Sequence, residues 1–225
     1  MNSMTATPPI EAFNALSLPD LQAKYFEDVN NLGFQQALPQ DNNAAHLNLS
    51  FESASSIKRS DMLSCFRLIE STSKPLYAHS TEGWSAASKK NEMHLTDMRY
   101  VLVRRGPYAE GRQSPVIGFM SFMATYEDSR ACFYCYEIHL DSALRGKSLG
   151  RQLMTWLEDL ALRADVPLIM LTAFTGNEAA LRFYSRLGYV TDDFSPRPRS
   201  LRNGREVEAD YRILSKKVEP LHRPP

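Results

Sequence analysis

The tightest constraint on this chain is the order of elements in its second half. A β-rich run ending in YEIHL leads to the loop Arg145-Gly146-Lys147-Ser148-Leu149-Gly150, which opens directly into a helical pattern. Leu149, Leu153, Trp156, Leu157 and Leu160 recur at three- and four-residue spacing, the stripe of a helix packed on one side. The apolar run PLIMLTAF follows, then NEAALRFYSRL, for which Asn177 supplies an N-cap and Gly188 the left-handed residue that ends a helix. Strand, helix, strand, helix predicts a crossover in this half. The loop offers backbone N–H groups and a helix N-terminus to a pyrophosphate, with Arg145, Lys147 and Arg151 adding charge. Taken alone it could equally be a basic surface turn.

Upstream, the runs RYVLVRR, VIGFMSFMAT and ACFYCYEIHL, joined by turn signals, predict an antiparallel meander. The second is apolar on both faces, as expected of a central strand covered on each side. HLNLSFES alternates like a half-buried strand, and Ser60 is placed to cap a helix carrying Leu63, Phe66 and Ile69 that Lys74-Pro75 ends. Residues 76–97 read as polar and irregular apart from Tyr77 and Trp84. A helix near 18–30 in the Asn-, Gln- and Pro-rich start predicts an N-terminal arm over 1–45, docked on a body spanning 46–216, with a tail at 217–225. A short YV run, an Arg- and Pro-bearing loop at 194–205 and the strand ADYRILSK close the body. The fold class expected is α/β, a mixed and mostly antiparallel sheet flanked by helices.

Lys plus Arg and Asp plus Glu number 26 each, which argues against a general polycation for gripping nucleic acid. No secretory leader and no apolar run of membrane-spanning length is visible, so a soluble intracellular protein is expected. Cys65, Cys132 and Cys135 are an odd set without a second Cys-x-x-Cys pair, and packing is a better reading of them than metal binding or redox chemistry.

The strand ending in YEIHL, the loop RGKSLG, its helix, LIMLTAF and N-EAALRFYSRLGY together resemble the GNAT superfamily of N-acetyltransferases, whose acetyl-CoA loop reads Arg/Gln-x-x-Gly-x-Gly/Ala. Ser148 stands where that pattern has its middle glycine. Within the superfamily, CYE-I-H-L-D-S, LIMLT-A-F, RFY-x-x-LGY, Asp192-Asp193-x-Ser195-Pro196 and the terminal Tyr211-Arg212-Ile213-Leu214 are similar to the N-alpha-acetyltransferase D (NatD) family. That family acetylates free N-termini of histones beginning Ser-Gly-Arg-Gly.

The resemblance implies a GNAT fold, acetyl-CoA as donor, histone tail peptides as partners without an auxiliary subunit, direct transfer in a ternary complex, and placement in nucleus and cytoplasm. An N-terminal ammonium must lose a proton before attack. Glu137, the one carboxylate in a low-charge strand, matches the family's base; a structural ion pair with an arginine is the competing role. Strict alternation sets Glu137 opposite Tyr134, Tyr136 and Ile138, so a bulge is expected to bring them together. Tyr136 and Tyr184 join the catalytic set, Tyr184 as a general acid. The backbone of Ile138, His139 and Leu140, the loop Arg145–Gly150 (Arg145, Gly146, Lys147, Ser148, Leu149, Gly150), Asn177 and Tyr184 are expected to hold the cofactor. His139 is discounted as a second base. Tyr77, Trp84, Tyr134, Tyr136, Thr172, Asp192, Asp193, Ser195 and Tyr211 are expected at the peptide, the two aspartates facing an arginine guanidinium. Acetylation of a small amine or lysine side chain, or acyl-CoA binding without catalysis, are the alternatives.

Overall fold

The computed structural model describes residues 7–26, 46–78, 80–106, 114–200 and 206–219. Among the described residues nine strands form: β1 (His46–Ser53), β2 (Arg99–Gly106), β3 (Val116–Glu127), β4 (Arg130–Leu140), β5 (Leu168–Phe174), β6 (Val190–Thr191), β7 (Arg199–Ser200), β8 (Glu206–Val207) and β9 (Tyr211–Lys217). Seven make one sheet in the order β1-β2-β3-β4-β5-β9-β6, in which β4 and β5 are the parallel pair and the rest antiparallel. The predicted meander is β2-β3-β4. The predicted crossover is β4 to β5 through α5 (Leu149–Arg163).

Each face of the sheet has its own apolar layer. On one side Val101, Val103, Met120, Phe122, Phe133, Cys135, Ile169 and Leu171 pack with Leu153, Trp156, Leu157 and Leu160 of α5 and Tyr184 of α6 (Glu178–Arg186). On the other, Tyr100, Leu102 and Phe119 meet Met62, Cys65, Phe66 and Ile69 of α3 (Arg59–Tyr77) and Met93 of α4 (Ala86–Met93). Asp61 on α3 and Arg104 on β2 tie helix to sheet through a buried ion pair, 2.7 Å.

Five expectations are corrected. The start of the chain forms two helices, α1 (Pro9–Asn14) and α2 (Leu18–Tyr25), where one near 18–30 is predicted; residues 27–45 lie outside the described ones. Lys58 occupies the N-cap of α3, so Ser60 falls inside its first turn. Helix α3 passes Pro75 and ends at Tyr77, because a proline in a last turn forfeits one hydrogen bond while Tyr77 gains ring contacts with Trp84 at 5.3 Å and Phe174 at 4.7 Å. Helix α4 occupies part of the stretch read as irregular, with Ser85 as its N-cap accepting from the Ser88 N–H. Within the predicted loop at 194–205, β7 pairs with β8, the latter at 206–207.

The arm is part of the core. Ile10, Phe13, Leu21, Tyr25 and Phe26 are buried, Phe13 meets Phe133 edge-on at 4.9 Å, and Phe26 stacks on Phe51 at 4.2 Å and against Trp156 at 4.8 Å. Two side-chain amides fix its register, Asn14 donating to the Ala124 carbonyl at 3.0 Å and Gln22 to that of Phe51 at 3.1 Å. A Phe13→Ala substitution is expected to cost about 3 kcal/mol or more in urea unfolding, since a large buried ring is removed from a site bounded on several sides. An unchanged midpoint would show that the arm contributes nothing to the core.

Candidate active site

The site depends on an irregularity in β4. Ser121 pairs with Glu137 but the next residue, Phe122, pairs with Cys135, so Tyr136 is an extra residue on β4. A one-residue insertion flips the face of everything beyond it. Before the bulge, Phe133 and Cys135 point to the α5 layer and Tyr134 to the opposite one. After it, Ile138 and Leu140 pack on the α5 layer, while Glu137 and His139 join Tyr134 and Tyr136 on the α3/α4 side. The bulge brings Tyr134 and Tyr136 to the side of Glu137 as expected, but it turns Ile138, also expected beside Glu137, to the opposite face, because the single insertion flips every later residue.

Glu137 meets a cation there that the sequence reading did not single out. Lys89 of α4, buried, donates to Glu137 Oε1 at 2.9 Å and to Glu92 Oε1 at 2.6 Å. Glu137 Oε2 lies 2.5 Å from His139 Nε2, and His139 Nδ1 lies 2.7 Å from Thr72 Oγ1 on α3. Burial alone would push the Glu137 carboxyl up; His139 and Lys89 together outweigh it and hold the group down at about 2. The same two carboxylates raise the Lys89 ammonium against the opposing effect of burial. The competing role for Glu137, an ion pair, is thus present, with lysine and histidine in place of arginine. The signal for Lys89 was its helical spacing from Ala86 and Met93 behind a serine cap; a charged residue at a core-facing position masked it.

Aromatic side chains surround this cluster. Tyr77, Trp84 and Phe174 stack edge to face, the Lys89 ammonium lies 5.7 Å from the Tyr77 ring, and Tyr134 lies 5.2 Å from Tyr136. The Tyr134 hydroxyl is 2.5 Å from Thr172 Oγ1 at the exposed end of β5. The segment between α3 and α4 is tied across to the entry of β9: the Thr81 N–H and hydroxyl donate to Asp210 Oδ2 at 2.5 and 3.0 Å. Tyr211, half-buried, begins β9 beside this tether.

Two predicted peptide contacts are otherwise engaged. Asp192 is buried and receives both guanidinium nitrogens of Arg130, at 2.9 and 3.1 Å, and the Phe194 N–H at 3.0 Å. The Arg130 hydrogen bond leads in holding its carboxyl at about 2. This pairing removes Asp192 as a free acceptor for a substrate guanidinium; Asp193 beside it is exposed. Ser195 Oγ accepts the Ile213 N–H at 3.1 Å and so serves β9.

The other side of β4 opens. Strands β4 and β5 pair only at Phe133–Ile169, Tyr134–Met170 and Cys135–Leu171, so beyond the bulge Tyr136–Leu140 has no partner from β5. After β4, a 3₁₀ turn at Ser142–Leu144 leads into the loop, where Gly146 has φ 72° and Ser148, the N-cap of α5, has φ 61°. No side chain caps α5, so its first-turn N–H groups face outward. Arg145 Nε donates to the Leu140 carbonyl at 3.1 Å. Gly150 begins the helix beside Phe183 and Leu140, which a Cβ there would meet at ordinary contact distances of 3.4 and 3.9 Å. Asn177 caps α6 through the Ala180 N–H at 3.2 Å. Tyr184 is buried between Phe183 and Tyr189, and burial raises its hydroxyl well above the ordinary tyrosine value. Cys65, Cys132 and Cys135 are buried, the last two on opposite faces of β4.

A bulged, half-open strand followed by a left-handed loop and an uncapped helix defines a nucleotide-cofactor transferase fold, and comparison places it. The acetyltransferase (GNAT) family model matches residues 65–189, and the chain belongs to that family. Among solved structures it is similar to Arabidopsis thaliana NAA60 in complex with a bisubstrate analogue, at 12% identity over 76% of this chain and 98% of that one, TM-score 0.52. It is also similar to the PaiA N-acetyltransferase from Thermoplasma acidophilum in complex with coenzyme A, at 15% identity over 77% and 99%, TM-score 0.51. A GNAT-family acetyltransferase from Staphylococcus aureus Mu50 matches at 12% identity over 76% and 100%, TM-score 0.53. At these identities the likeness is one of fold. The family's donor is acetyl-CoA. The residues present suit it: amides at the start of α5 without a side-chain cap, for phosphate oxygens, and a β4 edge that beyond the bulge has no partner from β5.

Among the described residues no helix is long and apolar enough to cross a membrane. Ser148 adopts a conformation that costs a residue with a Cβ about 1 kcal/mol or more, so Ser148→Gly is expected to raise the thermal midpoint, as measured by calorimetry. Asp192, its carboxyl depressed from 3.8 to about 2, stabilises the fold above its unfolded value and loses that contribution as pH falls toward 2. Asp192→Asn should therefore flatten the acid limb of a stability–pH curve; an unaltered limb would mean the Arg130 pair contributes nothing.

Proposed function

We propose that this protein transfers acetyl from acetyl-CoA to the free α-amine of peptides beginning Ser-Gly-Arg-Gly, as on histone four and histone two-A tails, with Glu137 as general base. The observation that carries the reading is the convergence, across the Tyr136 bulge, of Tyr134, Tyr136 and Glu137 in a mouth narrowed by Tyr77, Trp84 and the Thr81–Asp210 tether. A mouth bridged in this way suits a chain end, whereas a lysine in mid-peptide needs an open groove. The resemblance of CYE-I-H-L-D-S, LIMLT-A-F and RFY-x-x-LGY to the N-alpha-acetyltransferase D family supports the histone terminus as the substrate.

The roles divide by strand face. The loop amides from Gly146 and those of the first turn of α5 would receive the diphosphate, and the Ile138–Leu140 backbone, unpaired on its β5 side, would hold the pantetheine arm. Acetyl-CoA supplies an acyl carbon made electrophilic as a thioester. Glu137 takes the proton from the ammonium, directly or through a water, and Tyr184, whose burial keeps its proton in place at neutral pH, is the donor to the departing sulfur. From Glu137 the side chains Tyr136, Tyr134 and Thr172 run toward Ile213, whose carbonyl accepts the Asp192 N–H. That path ends at exposed Asp193, the acceptor proposed for the third-residue guanidinium.

Glu137→Gln is expected to lower kcat by about 10²-fold or more while leaving the CoA dissociation constant from calorimetry unchanged. The substrate is tested with two Ser-Gly-Arg-Gly peptides, one free and one blocked at its N-terminus. Only the free peptide should gain an acetyl group; lysine modification of the blocked peptide would overturn the assignment.

A further inference from the structure

The proton count around Glu137 goes further than its role as a base. Thr72 Oγ1 lies 2.7 Å from the Leu68 carbonyl and 2.7 Å from His139 Nδ1. The hydroxyl has one proton and the carbonyl can only accept, so that proton points to Leu68 and Thr72 Oγ1 accepts from a protonated Nδ1. At the other ring nitrogen, Nε2 and Glu137 Oε2 are 2.5 Å apart. Two lone pairs at that separation repel, so a proton lies between them. With Nδ1 already protonated, this proton is one more than a neutral imidazole and a carboxylate possess together. Whether it is written as imidazolium and carboxylate or as imidazole and carboxylic acid, the resting pair is already loaded.

We propose that Glu137 and His139 act as one proton-accepting dyad, whose active form has first released the proton shared between Nε2 and Oε2. This rests on the reading of Glu137 as the base. In the step itself an N–H bond of the substrate ammonium breaks, its electron pair stays on nitrogen, and the proton enters the dyad, restoring the resting contact; solvent removes it before the next turnover. Lys89 and Thr72 are positioning residues, one holding Oε1 and the other Nδ1. The groups facing the dyad are Lys89 and Glu92 from α4, Tyr77 from α3 and Tyr100 from β2, with the Phe119 ring 5.6 Å from the imidazole, while Cys135 and Tyr184 act on it from across the sheet. Lys89, Glu92 and the loaded dyad sum to no net charge, and release of the shared proton leaves one negative charge to receive the substrate's proton.

The test uses the full chain without cofactor and then the working enzyme. In nitrogen-15 spectra of the histidine rings, His139 should show both nitrogens protonated, and Glu137→Gln should convert it to the neutral ring protonated at Nδ1 alone. An unprotonated Nε2 in the native protein overturns the proposal. In kinetics, kcat should rise with pH along a limb that His139→Gln loses, together with about 10²-fold in kcat, and that Thr72→Val displaces, with CoA affinity retained in both. A His139→Gln enzyme with native kcat and native pH profile sinks the dyad while leaving Glu137 as the base. A Glu137→Gln enzyme with native turnover removes both readings.

Discussion

One residue out of step in β4 governs how the whole site can exist. Were β4 regular through Tyr136, Glu137 and His139 would face the α5 layer, against Leu153 and Trp156, where neither finds a partner. Burying an unpaired carboxylate there would cost several kcal/mol. With Tyr136 inserted, both turn toward α3 and α4, which supply Thr72 and Lys89. The shift also coincides with the parting of β4 from β5, so one irregularity accompanies both the gathering of charged side chains and the freeing of backbone.

The buried charges at the site come as a set. Lys89 binds two carboxylates, and the second of these is held against a histidine whose far nitrogen is fixed by a threonine. Each link is short, and removing one leaves a desolvated group without its partner, which is more damaging than never having buried it. The Asp192–Arg130 pair is a separate case. It lies toward the β3–β4 turn, exposed on its arginine side, and it stiffens β6 and β9 without touching the cluster around Glu137.

Much of this was legible in the residues. Strands with clean alternation and α5 with its leucine stripe follow from periodicity, and the loop at Arg145–Gly150 announced a helix N-terminus left open. The bulge could be inferred because Tyr134, Tyr136 and Glu137 cannot otherwise share a face. Lys89 could not, since a charged residue at a core-facing position erases the periodicity that reveals a helix, and α4 was lost with it. His139 is discounted in the sequence because a lone strand histidine is more often packed or at the surface; in the structure its partners are Glu137 two residues away and Thr72, 67 residues earlier and on another element. Asp192 was misjudged for the converse reason, as Arg130 is far away in sequence and hidden by its place at a turn.

The packing of α1 and α2 has a consequence for the order in which the molecule can be assembled. Phe13 rests on Phe133 and Phe26 on Trp156, separations of well over one hundred residues. Residues 10–26 are synthesised before either of those partners, so this segment must wait for them to bury its apolar side chains fully. Until the β3–β4 hairpin and α5 have left the ribosome, Ile10, Phe13, Leu21 and Tyr25 have only one another and β1 to shelter them, and the nascent chain carries a partly covered apolar segment while those elements are made.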